Sequence, residues 1–379
     1  MHAVILLENT KEQHLAHPAM LFEAPEARIF ATKQNEVQEA LQKIDAWKNQ
    51  GYYLAGYISF EAAYALLDLP CPWQNQWPLV DFYVFEKPRY LSRQAVDSYL
   101  GEDKGHINEV NLMVDDQAYA AQFAKVHHHL RQGDTYQVNL TSSYHFAQQG
   151  SARALYNTLR QRQQVSYSAL LELEGASILS LSPELFFKKT GDKLTTKPMK
   201  GTMPRALDNE EKDKANADFL LTDEKSRAEN TIVVDLLRND VARIADTGSV
   251  QVPELLKVEQ YQTVYQMTST IEGLIDVNMP FADIIHALFP CGSITGAPKK
   301  STVSLISQIE EGPREVYTGS IGYITPDNDM CFNVPIRTAL CRGEQGVLGV
   351  GGGIVMDSKL HDEFQEMQLK AQFLIGASG

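Results

Sequence analysis

Cysteine is scarce: the 379 residues hold four, at positions 71, 291, 331 and 341, with no CxxC spacing among them. So few thiols exclude a disulfide framework, and their spacing argues against a zinc knuckle; they fit a reducing compartment, and a cytoplasmic location is expected. No run of 18 apolar residues occurs, so no membrane span is expected. The opening stretch, MHAVILLENTKEQHLAHP, lacks a basic segment, a long apolar core and a small-residue cleavage site, and no signal peptide is expected. Positive charge is also short, with 34 Lys and Arg against 48 Asp and Glu and a net charge of −14. Nucleic-acid and anionic-membrane surfaces concentrate the opposite sign, so neither partner is expected and a small-molecule ligand is. The glycines of GVLGVGGGIV form neither a dinucleotide fingerprint nor a Walker loop. No GxCxG loop of a glutaminase is present either.

What is present is a mixture of short strands and separate helices. Apolar residues at three- to four-residue steps predict helices over 35–50, 115–134, 151–163, 223–245, 280–289, 299–310 and 361–375. Between them, alternating or apolar runs predict strands over 135–146, 167–174, 176–189, 263–273, 317–326, 330–341 and 346–355. Strands and hairpins with interspersed helices indicate an α+β fold rather than a regular βαβ winding. The polar segment 92–110 reads as a linker. It sets a soft boundary between a shortened N-terminal region, 1–110, packing on the core, and a catalytic region, 111–379, within one integrated fold.

Several positions carry chemistry. A hairpin turning at Thr190–Lys193 brings Glu184 across from Met199 or Lys200 by antiparallel counting, which makes a carboxylate and an amine neighbours. An ordinary cross-strand ion pair has the same spacing. On the helix near 223–245, Glu229 shares a stripe with Ile232, Val233 and Leu236, so an acid faces inward, where it needs a partner. Glu363, Glu366 and Lys370 lie beside Met367 and Phe373 on the last helix. Two such helices could hold a hard cation through oxygen ligands, or carry surface ion pairs only. Gly351, Gly352 and Gly353 allow close approach of a ligand. Arg337, in a run that is otherwise apolar, needs a carboxylate-type partner. The loop PCGSITGAPKKS can receive an anion ahead of its helix. His127, His128 and His129 do not form a metal site, because adjacent helical residues point about 100° apart.

The ordered motifs KPMKGTMPR, RAENTIVVDLLRND, PCGSITGAPKKS, YTGSIGYI, NVPIRTAL, GVGGGIVMDS and EFQEMQLKA resemble the chorismate-utilising enzymes over residues 110–376. The resemblance implies a four-layer α/β/β/α sandwich with the site between its sheets. It implies Mg²⁺ held by Glu229 and Glu366 with Glu363 nearby. It also implies substrate contacts from Arg337, Tyr323, Gly351, Gly352, Gly353, Lys370, Ser293 and Thr295. Family members that form anthranilate carry alanine where this chain has Lys200. The lysine implies covalent amination of chorismate, with Glu184 as the acid and with ammonia from a separate glutamine amidotransferase subunit. The product would be 4-amino-4-deoxychorismate, on the way to p-aminobenzoate and folate. Anthranilate or an isochorismate-type product is the alternative, and a silent chorismate-binding subunit is a further one. Gln266 and Ser226 stand where relatives often have a histidine and an acid, and neither is expected to be catalytic.

Overall fold

Prolines interrupt two of the predicted strands, and at both places the chain changes sheets. A computed structural model describes residues 2–12, 14–261 and 264–375. The run 176–189 is two strands, Ala176–Ser182 and Leu185–Thr190, broken at Pro183-Glu184. The run 330–341 is likewise two, Met330–Asn333 and Thr338–Arg342, broken around Pro335. Proline has no N–H for the ladder, so a sheet ends or bends where it stands.

Among the described residues two ten-stranded antiparallel sheets form. The first contains Gln137–Gln149, Gln345–Ile354, Thr338–Arg342, Ala176–Ser182, Tyr167–Leu173 and Val4–Glu8 as neighbours in that order. The second runs through Met199–Pro204, Val264–Leu274, Lys193–Lys197, Leu185–Thr190, Met330–Asn333, Ser320–Ile324 and Tyr53–Ile58. Helices Asp116–Gln132, Ala152–Arg162, Lys299–Ile309 and Leu360–Leu369 cover the first sheet, and Val37–Lys48, Glu210–Thr222 and Glu224–Ala242 cover the second. The arrangement is the expected four-layer α/β/β/α sandwich. Residues of the N-terminal region supply strands to both sheets: Val4–Glu8 pairs with Tyr167–Leu173, and Tyr53–Ile58 with Ser320–Ile324.

Helix limits follow local chemistry. Asp115 accepts from Ala118 N–H at 2.7 Å to start Asp116–Gln132, and Gly133, with φ 78°, ends it in the left-handed conformation. On that helix His127 lies against Phe123, whereas His129 turns to Asp134. The segment 92–110 is not a linker. Ser92 caps a helix, Arg93–Leu100, and His106–Leu112 pairs with Gln137–Gln149. The helix Glu210–Thr222 is also absent from the periodicity reading, because Leu220 is its one buried residue.

Candidate functional site

The two chain crossings lie side by side. Val334 N–H donates to the Glu184 carbonyl at 3.1 Å, and Leu181 N–H donates to the Arg337 carbonyl at 3.0 Å. Each crossing thus carries one charged side chain into the seam between the sheets. Arg337 is therefore not in a strand but in the connection, at φ 53°. A non-glycine residue held in the left-handed region is strained, and such strain concentrates where geometry serves a site.

The crossings border a cavity of about 190 Å³, lined among others by Glu184, Lys200, Glu229, Tyr317, Arg337 and Lys370. Glu184 is 2% exposed, and among the described residues its Oε1 has no partner. Burial pushes its pKa up to about 7, against a Ser293 hydrogen bond and the Lys200 charge. A carboxyl group so placed holds a proton near neutrality. Burial pulls Arg337 down to about 10. Among the described residues no acid pairs with Arg337; the Gln163 amide, with its oxygen turned inward, accepts from it. A guanidinium fork with one neutral partner suits a ligand carboxylate.

Lys200 lies on Met199–Pro204, opposite Met267. Among the described residues its amine makes no ion pair or hydrogen bond. It lies beside the glycine strand: a Cβ on Gly353 would meet Lys200 Nζ at 2.9 Å, Glu229 Oε2 at 3.3 Å and Gln137 Nε2 at 3.4 Å. Glycine at 353 is what leaves these three groups their space.

The acids come from helices on opposite outer faces. Glu229 belongs to Glu224–Ala242, which Asp223 caps through Ser226 N–H at 2.8 Å; Glu363 and Glu366 belong to Leu360–Leu369. Lys225 bonds to Glu363 and stands 3.8 Å from Glu229. Lys370 pairs with Glu366 at 2.9 Å and donates to the Gly351 carbonyl at 2.9 Å. Burial raises the Glu229 pKa, with Lys200 and Lys225 opposing, whereas the Lys370 charge draws Glu366 down to about 2. Among the described residues no three His, Cys, Asp or Glu side chains converge as a ready metal cage. The Lys225 ammonium lies in the field of all three acids, Glu363, Glu229 and Glu366, beside Lys200 and Lys370. Carboxylate oxygens are hard donors of the class that Mg²⁺ takes.

A model of the family described as chorismate binding enzyme matches residues 1–376. The chain belongs to the chorismate-binding enzymes. It is 40% identical over 250 residues to aminodeoxychorismate synthase component 1 of Escherichia coli K12, a match covering 66% of this chain and 55% of that protein. The chain thus matches only about half the length of that relative. It is 31% identical to anthranilate synthase component 1 of Methanothermobacter marburgensis over 86% of this chain and 76% of that one. The crystal structure of anthranilate synthase component I from Streptococcus pneumoniae superposes with a TM-score of 0.81 at 25% identity, covering 96% of this chain and 95% of that chain.

Within this chorismate-binding fold, the structure brings Lys200, Glu184, Arg337, Gly351, Gly353, Ser293, Glu229, Glu366 and Lys370 to one cavity. Gly352 faces the other way, toward Glu363 and Lys370. Glu363, 2% exposed, joins through Lys225. Besides Gly352, two residues do not join. Tyr323 packs against the buried cluster that contains Ala55, Tyr57, Leu171 and Ile321, and it is not among the residues that line the cavity. Thr295 is buried, and its hydroxyl donates to the Cys291 carbonyl at 3.0 Å. Tyr317 lines the cavity in place of Tyr323. Sequence reasoning also passed over Gln137, which is fully buried with neither amide end paired among the described residues, and Asn139. Their signal was available: both are polar on one face of an alternating strand. Gln266 lines the cavity and donates to Thr202 at 3.3 Å, whereas Ser226 packs on Gly201.

Proposed function

We propose that this chain aminates chorismate through a covalent bond to Lys200, giving 4-amino-4-deoxychorismate for p-aminobenzoate and folate synthesis. One observation carries the reading: the Lys200 amine, with no hydrogen bond or ion pair among the described residues, shares a cavity with a buried, protonatable Glu184 and with Arg337, whose partner among the described residues is a neutral amide. Arg337 and the backbone at Gly351 and Gly353 receive the substrate carboxylates, and Lys370 holds the strand they belong to. The Lys200 nitrogen bonds to ring carbon C2, both conjugated ring double bonds move one position (C1=C2 to C1=C6 and C5=C6 to C4=C5), and the C4 hydroxyl leaves as water with the proton of Glu184. The proton released by the new amine returns to Glu184. Ammonia then bonds to C4, both double bonds shift back, and the C2–N bond breaks to release Lys200. Glu229, Glu363 and Glu366 would hold Mg²⁺ in exchange for the Lys225 ammonium; bound, the ion neutralises the ring carboxylate and draws electrons from the ring. A separate glutamine amidotransferase subunit supplies the ammonia.

The test is mass spectrometry. Chorismate and Mg²⁺ without ammonia should leave an adduct on the peptide containing Lys200, and added ammonium should release 4-amino-4-deoxychorismate. An unmodified peptide, with normal product from Lys200→Ala, defeats the reading. The similarity to anthranilate synthases supports a second one, in which the product is anthranilate; the same product analysis separates the two.

A further inference from the structure

A second cavity, of about 360 Å³, lies on the far side of Tyr317 from Lys200. Both cavities lie along one face of one strand pair. Gly353 is opposite Asn139, Gly351 opposite Thr141, Gly349 opposite Ser143 and Val347 opposite His145, and alternate residues of a strand share a face. Asn139, Gly351 and Gly353 border the Lys200 cavity; Ser143, His145 and Val347 border the second, outer one. Tyr317 and Gly349 line both. The partition is the tyrosine ring: a Cβ on Gly349 would lie 2.2 Å from it, so the ring occupies the space that a side chain at 349 would fill. Among the described residues no hydrogen bond ties the Tyr317 hydroxyl. Its charge environment comes from both sides, from Arg314 and Glu310 by the outer cavity and from Glu184 by the inner one.

We propose that the outer cavity is the entry for the small nitrogen nucleophile, which reaches the Lys200 adduct by passing Tyr317. The inference rests on the amination reading. In that sequence ammonia arrives after the ring dicarboxylate is bound, when the inner cavity is filled. A second path solves the order of arrival. The outer cavity suits a small polar guest. Ser143 and His145 offer hydrogen bonds; Arg314 is neutralised by Glu310 at 2.7 Å, and Arg342 lies over the Trp77 ring. With Glu310, Glu311 and Glu315 against Arg314 and Arg342, the lining is acidic on balance, which draws ammonium in.

The test plugs the outer cavity reversibly in the full chain. Ser143→Cys is treated with methyl or benzyl methanethiosulfonate, the extent checked by intact mass, the parent treated in parallel as the control for its four native thiols, and the plug removed with dithiothreitol. The benzyl plug should raise the KM for ammonium by about tenfold while chorismate KM stays put. Adduct formation on Lys200 without ammonia should be unchanged, and dithiothreitol should restore the parent value. Val347→Trp should act in the same direction. Ammonium KM unchanged in fully plugged protein overturns the proposal. Loss of the ammonia-independent adduct in both plugged forms also overturns it, because the two cavities would then be one chorismate site. A parent chain that makes no ammonium-dependent product defeats the amination reading itself, and the inlet with it; that result is seen before any plug is made.

Discussion

At Glu184 burial works against charge. The folded carboxyl titrates near 7 instead of 4.5, chiefly through burial. Between those values the folded state holds the proton and the unfolded state does not, so stability falls as pH rises through that window and levels off above it. The loss at pH 8 amounts to about 3 kcal/mol. Glu184→Gln should therefore unfold at higher denaturant than the parent at pH 8, and the difference should vanish near pH 4. Activity should move the other way: the variant has no proton to give, and adduct formation should fail at every pH. Gly353→Ala separates packing from chemistry in a different manner. Its Cβ would meet the far ends of Lys200 and Glu229 rather than backbone, and these can swing aside. Thermal melting should stay close to that of the parent, while turnover drops by roughly a hundredfold because the amine is displaced by about an ångström. Hairpin counting brought Glu184 and Lys200 into one neighbourhood but missed the register: Leu185 is opposite Lys197, and beyond Pro198 the chain starts a separate strand on which Lys200 faces Met267, so the two share a cavity without being cross-strand partners. Tyr317 was not legible, since the fourteen-residue spacing of Tyr323 to Arg337 says nothing about which face each occupies once the chain changes sheets.

Among the elements, the helix Glu224–Ala242 bears most directly on the site because it carries Lys225 and Glu229. Asp223→Ala removes the cap on Ser226 N–H and should cost about 1 kcal/mol in denaturant unfolding, whereas Asp223→Asn should retain most of it. The first turn holds Lys225, so the same variant should also weaken Mg²⁺-dependent activity before the whole protein melts. Glu229→Gln and Glu366→Gln should each remove most of that activity while leaving the helices folded, and excess chelator should do the same to the parent. Undiminished turnover in chelator would sink the metal assignment. Helices with a clear apolar stripe, such as Val37–Lys48 and Lys299–Ile309, were readable from period alone. Arg93–Leu100 was hidden in a polar segment because only Val96 and Leu100 are buried, too few to make a stripe. Glu210–Thr222 was hidden for the same reason.

At the scale of the whole molecule, burial holds all four thiols in the protonated form: Cys291 and Cys341 are pushed to about 12, Cys331 to about 11, and Cys71 upward. None is a thiolate ready to attack glutamine. The chain alone should turn over chorismate with ammonium and not with glutamine, measured by product formation with each nitrogen source. Among the described residues no helix is long and apolar enough to cross a membrane. The amino-acid sequence by itself determined the α+β class, most helices, the acids on their inward faces and the closeness of Glu184 to Lys200. These follow from periodicities and turn counts that act over a few residues. Only the tertiary structure decided that Glu184 and Arg337 stand on adjacent crossings between two sheets, that helices from opposite faces bring Glu229 and Glu363 to one ammonium, and that Tyr317 divides two cavities over Gly349. Those juxtapositions join residues up to about 150 positions apart, and the sheet pairing and burial that set them are properties of the assembled layers, which no local pattern encodes.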